Sequence, residues 1–448
     1  MQKNEEYIIE ITDVTAEGSG VGKADGMAVF VPLTAVGDRA RVKILKPKKT
    51  YAYGKLLELI RPSKSRIDND CPYFNQCGGC VYRHISYEAE KNIKQNKVYE
   101  NIKRIGGVDM KPQSIVTDAP DRYRNKAQYP LSAEYAAGFY AFHSHRIIPC
   151  EDCLLQPQIF SLITDSVCRW AKQNDISIYD EATHKGFLRH IYIRKAEKTG
   201  EIMVCLVING DFLPESDSLV NALLEVCGDT LQSVQININK KDTNVILGDK
   251  CKTIYGKDYI TDILCGVKIR LSALSFYQVN HTMAQKLYEK AREYANPQGK
   301  NIIDLYCGAG TIGLSMASAA KSIIGVEIIP EAIEDAKHNA EINGIKNTRF
   351  ICADAADAAK QLASEGITAD TVIVDPPRKG VSADVIETVA RDFAPNTVVY
   401  VSCDSATLAR DIKIFEQNGY KLQEYTPCDL FPRTSHVETV ALLVRAVS

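Results

Sequence analysis

Over its first sixty residues the chain alternates apolar and polar positions with a period of two, interrupted by glycine. Residues 7–13 are apolar and rich in β-formers. Gly18, Gly20 and Gly22 predict a turn, Asp25-Gly26 a second one, and residues 27–31 a strand that Pro32 stops. Gly37-Asp38 precedes a further strand over 41–45, and a last one runs from about Tyr51 to Ile60. Short strands separated by glycine turns predict a small OB-like β-barrel over residues 1–62.

The pattern then changes. Residues 86–105 have helical spacing, with Lys91, Lys94 and Lys97 on the face expected to meet solvent and Gly106-Gly107 as the stop. Residues 63–270 predict a central α+β domain with hairpins, such as 188–196 and 201–209 around Lys198-Thr199-Gly200. The third domain is expected over 271–448, with Pro297 to Gly299 introducing a regular alternation of strand and helix. Strands are predicted at 301–306, 322–328, 348–353, 371–375, 397–402, 419–426 and 436–444, which makes an α/β, doubly wound, Rossmann-like sheet.

Composition narrows the class. With 448 residues, 45% hydrophobic and 25% charged, each domain can bury a core, and disorder, collagen and coiled coil are excluded. No window approaches the 18 or more apolar residues of a membrane helix, and the first ten residues are polar and acidic, so a cytoplasmic protein is expected. Fourteen cysteines in such a setting are read as metal ligands or catalytic thiols before disulfides.

The net charge of -2 argues against a chain that coats nucleic acid along its whole surface, yet it leaves room for a basic patch. One lies at Arg39, Arg41, Lys43, Lys46, Lys48, Lys49, Lys55, Arg61, Lys64 and Arg66, with Tyr51 and Tyr53 inside it. Cations for phosphates beside rings for bases suit RNA.

Cys71, Cys77 and Cys80 are spaced C-x5-C-x2-C, and Gly78-Gly79 lets the last two turn toward one centre. Three thiolates need a fourth ligand, for which Cys150 and Cys153 are the candidates; the spacing suits zinc and an iron–sulfur cluster equally.

Further on, a G-x-G-x-x-G at Gly308, Gly310 and Gly313 joins a strand to a helix, and Glu327 ends the next strand, where it can accept from ribose hydroxyls. NAD, FAD and S-adenosylmethionine sites share this pattern. Asp304, placed for a cationic methionine end, with Asp354 and Asp375-Pro376-Pro377 after the following strands, favours S-adenosylmethionine. Cys403 ends a buried strand at the sheet edge where ligands bind. Carbon 5 of uracil becomes nucleophilic once a thiolate adds to carbon 6, and a base must afterwards remove the carbon-5 proton. Glu438, at the start of the last strand, can supply that base.

Ser-Phe-Tyr-Gln-Val-Asn (275–280), Asp-Leu-Tyr-Cys-Gly-Ala-Gly-Thr (304–311), Asp-Pro-Pro-Arg-Lys-Gly (375–380), Val-Ser-Cys-Asp (401–404) and His-Val-Glu-Thr-Val (436–440) resemble the successive motifs of RNA uracil-C5 methyltransferases. The barrel resembles a TRAM domain, and the three-cysteine segment resembles the iron–sulfur site of the 23S rRNA (uracil-5-)-methyltransferases. The resemblance spans nearly the whole chain. It implies a seven-stranded class I methyltransferase domain, with Cys403 as nucleophile and Glu438 as base. Gln278, Tyr306, Glu327 and Asp375 would contact S-adenosylmethionine or the uracil edge, and Phe276 and Pro376 would pack around the flipped base. Cys71, Cys77, Cys80 and Cys153 would hold a [4Fe–4S] cluster, Cys153 being chosen for its Cys-Leu-Leu-Gln context.

The expected partner is RNA, 23S rRNA first, with a monomer and no membrane. The alternatives are a tRNA uracil-C5 methyltransferase and a non-catalytic RNA-binding assembly factor. An amino-group methyltransferase would explain Asp-Pro-Pro but leave Cys403 without a task, and Arg378 stands where those enzymes carry an aromatic residue.

Overall fold

Five strands, β1 (Glu6–Val14), β2 (Gly20–Ala24), β3 (Met27–Val31), β4 (Arg39–Pro47) and β5 (Tyr51–Arg61), close a barrel in the order β1-β2-β3-β5-β4 in the computed structural model, which describes residues 1–142 and 144–446. Alternate side chains, among them Ile9, Ile11, Val29, Val31, Val42, Ile44 and Ala52, fill the interior. One expectation is corrected. Gly20 and Gly22 belong to β2, and only Gly18, with φ +90°, is in a turn. A Cβ on Gly20 would strike the Thr34 side chain, and one on Gly22 would strike Ile9 and the Glu10 carbonyl. These two glycines serve close packing in a narrow barrel rather than chain reversal.

Arg66, counted in the basic run, is also structural. Its Nε and Nη2 donate to the buried Asp38 carboxylate at 2.8 and 2.7 Å. Tyr51 and Tyr53 meet Phe30 across the parallel β3–β5 pairing, with ring centroids 5.4 and 5.9 Å from it.

The helix α1 (Tyr87–Asn101) runs on into a π-helical turn, Ile102–Gly106, which Gly107 ends at φ +82°. Lys94 does not face solvent as its pattern suggests. It is fully buried, its Nζ lies 2.7 Å from Glu90 Oε1, and it donates to the Phe431 carbonyl at 3.1 Å. Glu90 also accepts the Arg433 amide at 2.7 Å. An i,i+4 pair that satisfies each other's charge can be covered at a tolerable cost, so a polar face on this helix is not an exposed one.

The chain divides into two compact units, the first made of Met1–Lys97, Tyr140–Ile148 and Phe431–His436, the second of the rest of the described chain. The second unit contains two large sheets. After β6 (Lys126–Pro130) and two three-residue strands that straddle the limits of the first unit, β7 (Gly138–Tyr140) and β8 (Ile147–Pro149), come α2 (Gln158–Gln173), β9 (Leu188–Lys195), β10 (Ile202–Ile208), α3 (Ser216–Cys227), β11 (Leu231–Ile238) and β12 (Lys250–Gly256). The order is β12-β11-β10-β9-β6, and β9 and β10 form the predicted antiparallel hairpin. One face of this sheet, with Ile191, Ile193, Val204, Leu206 and Ile236, shares a core with Phe160, Ile163, Leu219 and Leu223 of α2 and α3.

A hairpin, β13 (Ile260–Leu264) and β14 (Val267–Leu271), and α4 (His281–Ala295) lead into the second sheet. Its strands are β15 (Asn301–Leu305), β16 (Ser322–Glu327), β17 (Thr348–Cys352), β18 (Thr371–Val374), β19 (Thr397–Ser402), β20 (Tyr420–Cys428) and β21 (Glu438–Arg445). The helices between them are α5 (Thr311–Met316), α6 (Pro330–Ile342), α7 (Ala355–Ser364), α8 (Ala383–Thr388) and α9 (Ser405–Gln417). The order is β17-β16-β15-β18-β19-β21-β20, parallel except at β21, which runs antiparallel to both neighbours. All seven predicted strands are present. No helix among the described residues is long and apolar enough to cross a membrane.

Candidate active site

Parallel strands place their carboxyl ends along one edge, and there the ladder stops at the residues singled out above. Tyr306 follows β15, Glu327 ends β16, Asp375 follows β18 and Cys403 follows β19. Tyr306 takes the left-handed φ of +66°, uncommon for a residue with a large side chain, and Gly308 and Gly310 follow at +54° and +77°. The backbone thereby turns sharply into α5. Glu327 holds this loop from the next strand: its Oε2 accepts the Gly308 amide at 3.2 Å, and its Oε1 accepts those of Ile328 and Ile329 at 2.8 and 3.0 Å.

Asp304, the penultimate residue of β15, is buried. Its Oδ2 accepts the Gly313 amide at 3.1 Å, whereas Oδ1 has no hydrogen-bond partner. Burial, then the charge of Asp375, push its carboxyl up to about 8. Burial alone raises Asp375 to about 7. A desolvated pocket with several carboxylates and one orphaned oxygen fits a ligand that brings positive charge and N–H donors. Asp354 instead caps α7, accepting the Ala356 amide at 2.9 Å, and stands exposed.

Cys403 and Glu438 are brought together by strand pairing. The β19–β21 ladder ends with Ser402 opposite Thr439, so Cys403 and Glu438 are the next residues on the two strands. Glu438 opens β21, where Cys428 of β20 pairs with it from the other side. It is 6% exposed, and burial followed by Asp375 raises its carboxyl to about 8, with Arg378 pulling the other way. Cys403 is half-buried; burial, then Glu438 and Asp375, lift its thiol to about 11, again against Arg378. Asp404 fixes the turn behind the thiol by accepting the Ala406 and Thr407 amides at 2.9 and 3.0 Å at the start of α9.

Gln278 precedes α4 in a loop held from several sides. Asn125 Nδ2 donates to the Gln278 carbonyl at 3.0 Å and its amide to that of Val279 at 2.8 Å. Arg194 donates to the carbonyls of Ser272 and Ser275 at 2.9 and 2.7 Å. The side chains of Gln278 and Thr311 are hydrogen-bond partners of the buried Tyr288 hydroxyl, which also feels the charge of Asp375. Phe276 stands 74% exposed at the tip of this loop, and Pro376 is buried.

Three contributors escaped the pattern reading. Arg378 acts on both Cys403 and Glu438, and its signal was its place beside Asp375-Pro376-Pro377. Asn125 and Arg194 hold the Gln278 loop from more than seventy residues away in sequence, and nothing local marks them.

The cysteine cluster is divided between the units. Cys71, Cys77 and Cys80 belong to the first and Cys150 and Cys153 to the second. Cys77 Sγ accepts the Gly79 amide at 3.4 Å. A hydrogen bond from Cys150, amides of Leu155 and Gln156 and the charge of Arg124 draw the Cys153 thiol down to about 7, against its burial. Sulfurs supplied with N–H donors fit thiolate ligands. Among the described residues no group of three or more His, Cys, Asp or Glu is gathered as an ion site.

Comparison with known proteins identifies the family. The profile of the family described as tRNA (Uracil-5-)-methyltransferase matches residues 87–446, and that of the TRAM domain matches residues 2–57. An uncharacterized RNA methyltransferase of Halalkalibacterium halodurans is 43% identical over 99% of this chain and 98% of its own length. One of Clostridium tetani is 41% identical over 99% and 97%. Among solved structures, the Pyrococcus abyssi tRNA (uracil-54, C5)-methyltransferase in complex with S-adenosyl-L-homocysteine matches with a TM-score of 0.81 and 27% identity, over 98% of this chain and 100% of that one.

Proposed function

This chain belongs to the family of S-adenosylmethionine-dependent RNA (uracil-5-)-methyltransferases with a TRAM domain, and from that premise we propose that it methylates carbon 5 of specific uridines in 23S rRNA. The juxtaposition of Cys403 and Glu438 at the ends of β19 and β21 carries this reading. The acid pocket of Asp304 and Asp375 and the glycine loop under Glu327 support S-adenosylmethionine as the ligand of the strand edge, with Gln278 and Tyr306 beside it. When bound, it supplies the methyl group.

Cys403 adds to carbon 6 of the flipped uracil, and carbon 5 then takes the methyl. Burial lifts the Cys403 thiol to about 11, and the charge of Arg378 acts the other way, favouring the thiolate that the addition needs. Glu438, in its carboxylate form, removes the proton from carbon 5, and the Cys403–carbon 6 bond breaks in elimination. Phe276 and Pro376 pack around the flipped base. Cys71, Cys77, Cys80 and Cys153 would hold a [4Fe–4S] cluster; the N–H donors at Cys77 and Cys153 support that ligand chemistry. Uracil methylation needs no electron transfer, so the part of such a cluster would be structural.

A second reading is tRNA as the substrate. The Pyrococcus abyssi enzyme, which acts on tRNA by its name, matches essentially from end to end, so a barrel at the N-terminus does not by itself select rRNA. Mass mapping of 5-methyluridine in 23S rRNA and tRNA from cells with and without the gene decides. A residue lost from 23S rRNA and restored by the wild type but not by Cys403→Ala is expected. A loss confined to tRNA selects the second reading, and unchanged RNA in both pools overturns the activity.

A further inference from the structure

The central sheet has a second face that its core does not use. The pairs Lys126↔Arg194, Gln128↔Tyr192 and Pro130↔His190 join β6 to β9, and side chains opposite one another share a face. Two cations therefore sit directly across from each other, Lys126 half-buried and Arg194 1% exposed. Like charges in this position destabilise a sheet unless something offsets them.

Among the described residues no ion pair does so; Arg194 donates to the Ser272 and Ser275 carbonyls and its guanidinium lies 5.7 Å from the Tyr192 ring centroid, whereas no carboxylate reaches Lys126. The charges acting on Lys126 are those of Arg194 and Arg124, both positive. Neighbouring cations have carboxylate partners: Arg122 with Asp152 at 2.6 Å, Lys195 with Glu197 at 3.4 Å and Arg189 with Glu181 at 3.6 Å. Among the described residues no carboxylate forms an ion pair with Arg124, Lys126 or Arg194. Asp335 feels Arg194, but its carboxylate accepts from Ser275 Oγ at 2.8 Å. The Nε atoms of Arg124 and Arg194 are shielded from water without a hydrogen-bond partner. Unmatched donors beside a half-buried ammonium that has no carboxylate partner favour an anion. Burial also draws the Lys126 ammonium down to about 8, a strain that an anion would relieve.

The position of the cluster indicates which anion. Arg194 binds the carbonyls of Ser272 and Ser275, immediately before Phe276. Asn125, between Arg124 and Lys126, binds the carbonyl of Gln278. The cations thus adjoin the loop that carries the exposed Phe276 and the half-buried Gln278. We propose that Lys126, backed by Arg124 and Arg194, seats a backbone phosphodiester of the RNA strand beside the uridine offered to Cys403. The proposal rests on the RNA reading above, and it makes Lys126 a substrate-positioning residue.

The test measures binding of in vitro transcribed 23S rRNA to the whole protein as a function of salt. For Lys126→Gln the affinity is expected to fall about ten-fold near physiological salt, and the salt slope to shrink by about 0.7 as one phosphate contact is lost. Lys126→Arg should restore most of both, and the dissociation constant for S-adenosylmethionine should not move. A purely structural role would lower the melting temperature of Lys126→Gln while leaving the slope as in the wild type, and that result overturns the proposal. A weakened S-adenosylmethionine affinity with unchanged RNA binding would assign the seat to the carboxylate of that ligand, and it overturns the proposal equally. Failure of the methylation reading is seen separately, as wild-type protein that binds RNA with a Lys126-dependent slope but forms no 5-methyluridine.

Discussion

Glu438 stands next to Cys403 because β21 runs antiparallel to β19 and their ladder closes at the pair Ser402 and Thr439, one residue short of both. In the proposed reaction, proton abstraction and thiolate elimination would thereby act on adjacent carbons of one ring. Replacing Glu438 by Gln keeps the thiol and removes only the base. Addition and methyl transfer should proceed, elimination should stall, and a protein–RNA adduct should survive a denaturing gel. Normal turnover without adduct would assign the base elsewhere.

The same carboxyl sets a pH dependence. Its folded value of about 8 lies above its ordinary 4.5, so the fold keeps a proton that the unfolded chain releases between those values. The stabilisation this provides is complete below about 4.5 and is lost as pH rises towards about 8. Asp304 and Asp375 add in the same direction. Stability of the ligand-free protein should therefore decline from pH 5 to 8. Glu438→Gln should flatten the decline and raise the melting temperature near pH 8 by a few degrees, roughly the effect of 1 kcal/mol or more. The elimination step has the opposite profile, rising with pH as Glu438 ionises. Single-turnover decay of the adduct between pH 6 and 9 checks that sign.

The barrel offers a second measurement. Lys46, on β4, pairs with Tyr53 of β5, near the Phe30, Tyr51 and Tyr53 rings. Replacing Lys46, Lys48 and Lys49 together by Gln should weaken RNA binding and cut its salt slope by up to about 2. Tyr53→Ala, at a ring 43% exposed, should weaken binding with little change of slope, because stacking releases no counterion. If both variants bind as the wild type, the barrel face makes no RNA contact.

For the cysteines, protein purified without oxygen should be brown and contain about four iron atoms per chain. Cys77→Ser and Cys153→Ser should lose the iron and lower the melting temperature while S-adenosylmethionine still binds. Cys150→Ser should be nearly silent. Iron retained in Cys153→Ser but lost in Cys150→Ser would exchange the fourth ligand, and colourless protein with one zinc would change the metal.

Strand alternation and glycine punctuation are local properties, so the barrel and the seven-stranded sheet were legible along the chain, as were the residues at the strand ends, Tyr306, Glu327, Asp375 and Cys403. A strand's end is defined by its own sequence, and in a parallel sheet all such ends fall on one edge. Where local pattern misled, packing had overruled it: Gly20 and Gly22 are small because Thr34 and Ile9 lie against them, and Lys94 is covered because Glu90 neutralises it. What only the folded chain decides is which distant groups share a space. The antiparallel insertion of β21 sets Glu438 beside Cys403, and the β6–β9 pairing sets Lys126 against Arg194, with no carboxylate among the described residues paired to either. Register and desolvation act across tens to hundreds of residues, and both the raised carboxyl of Glu438 and the position of Lys126 against Arg194 arise from them.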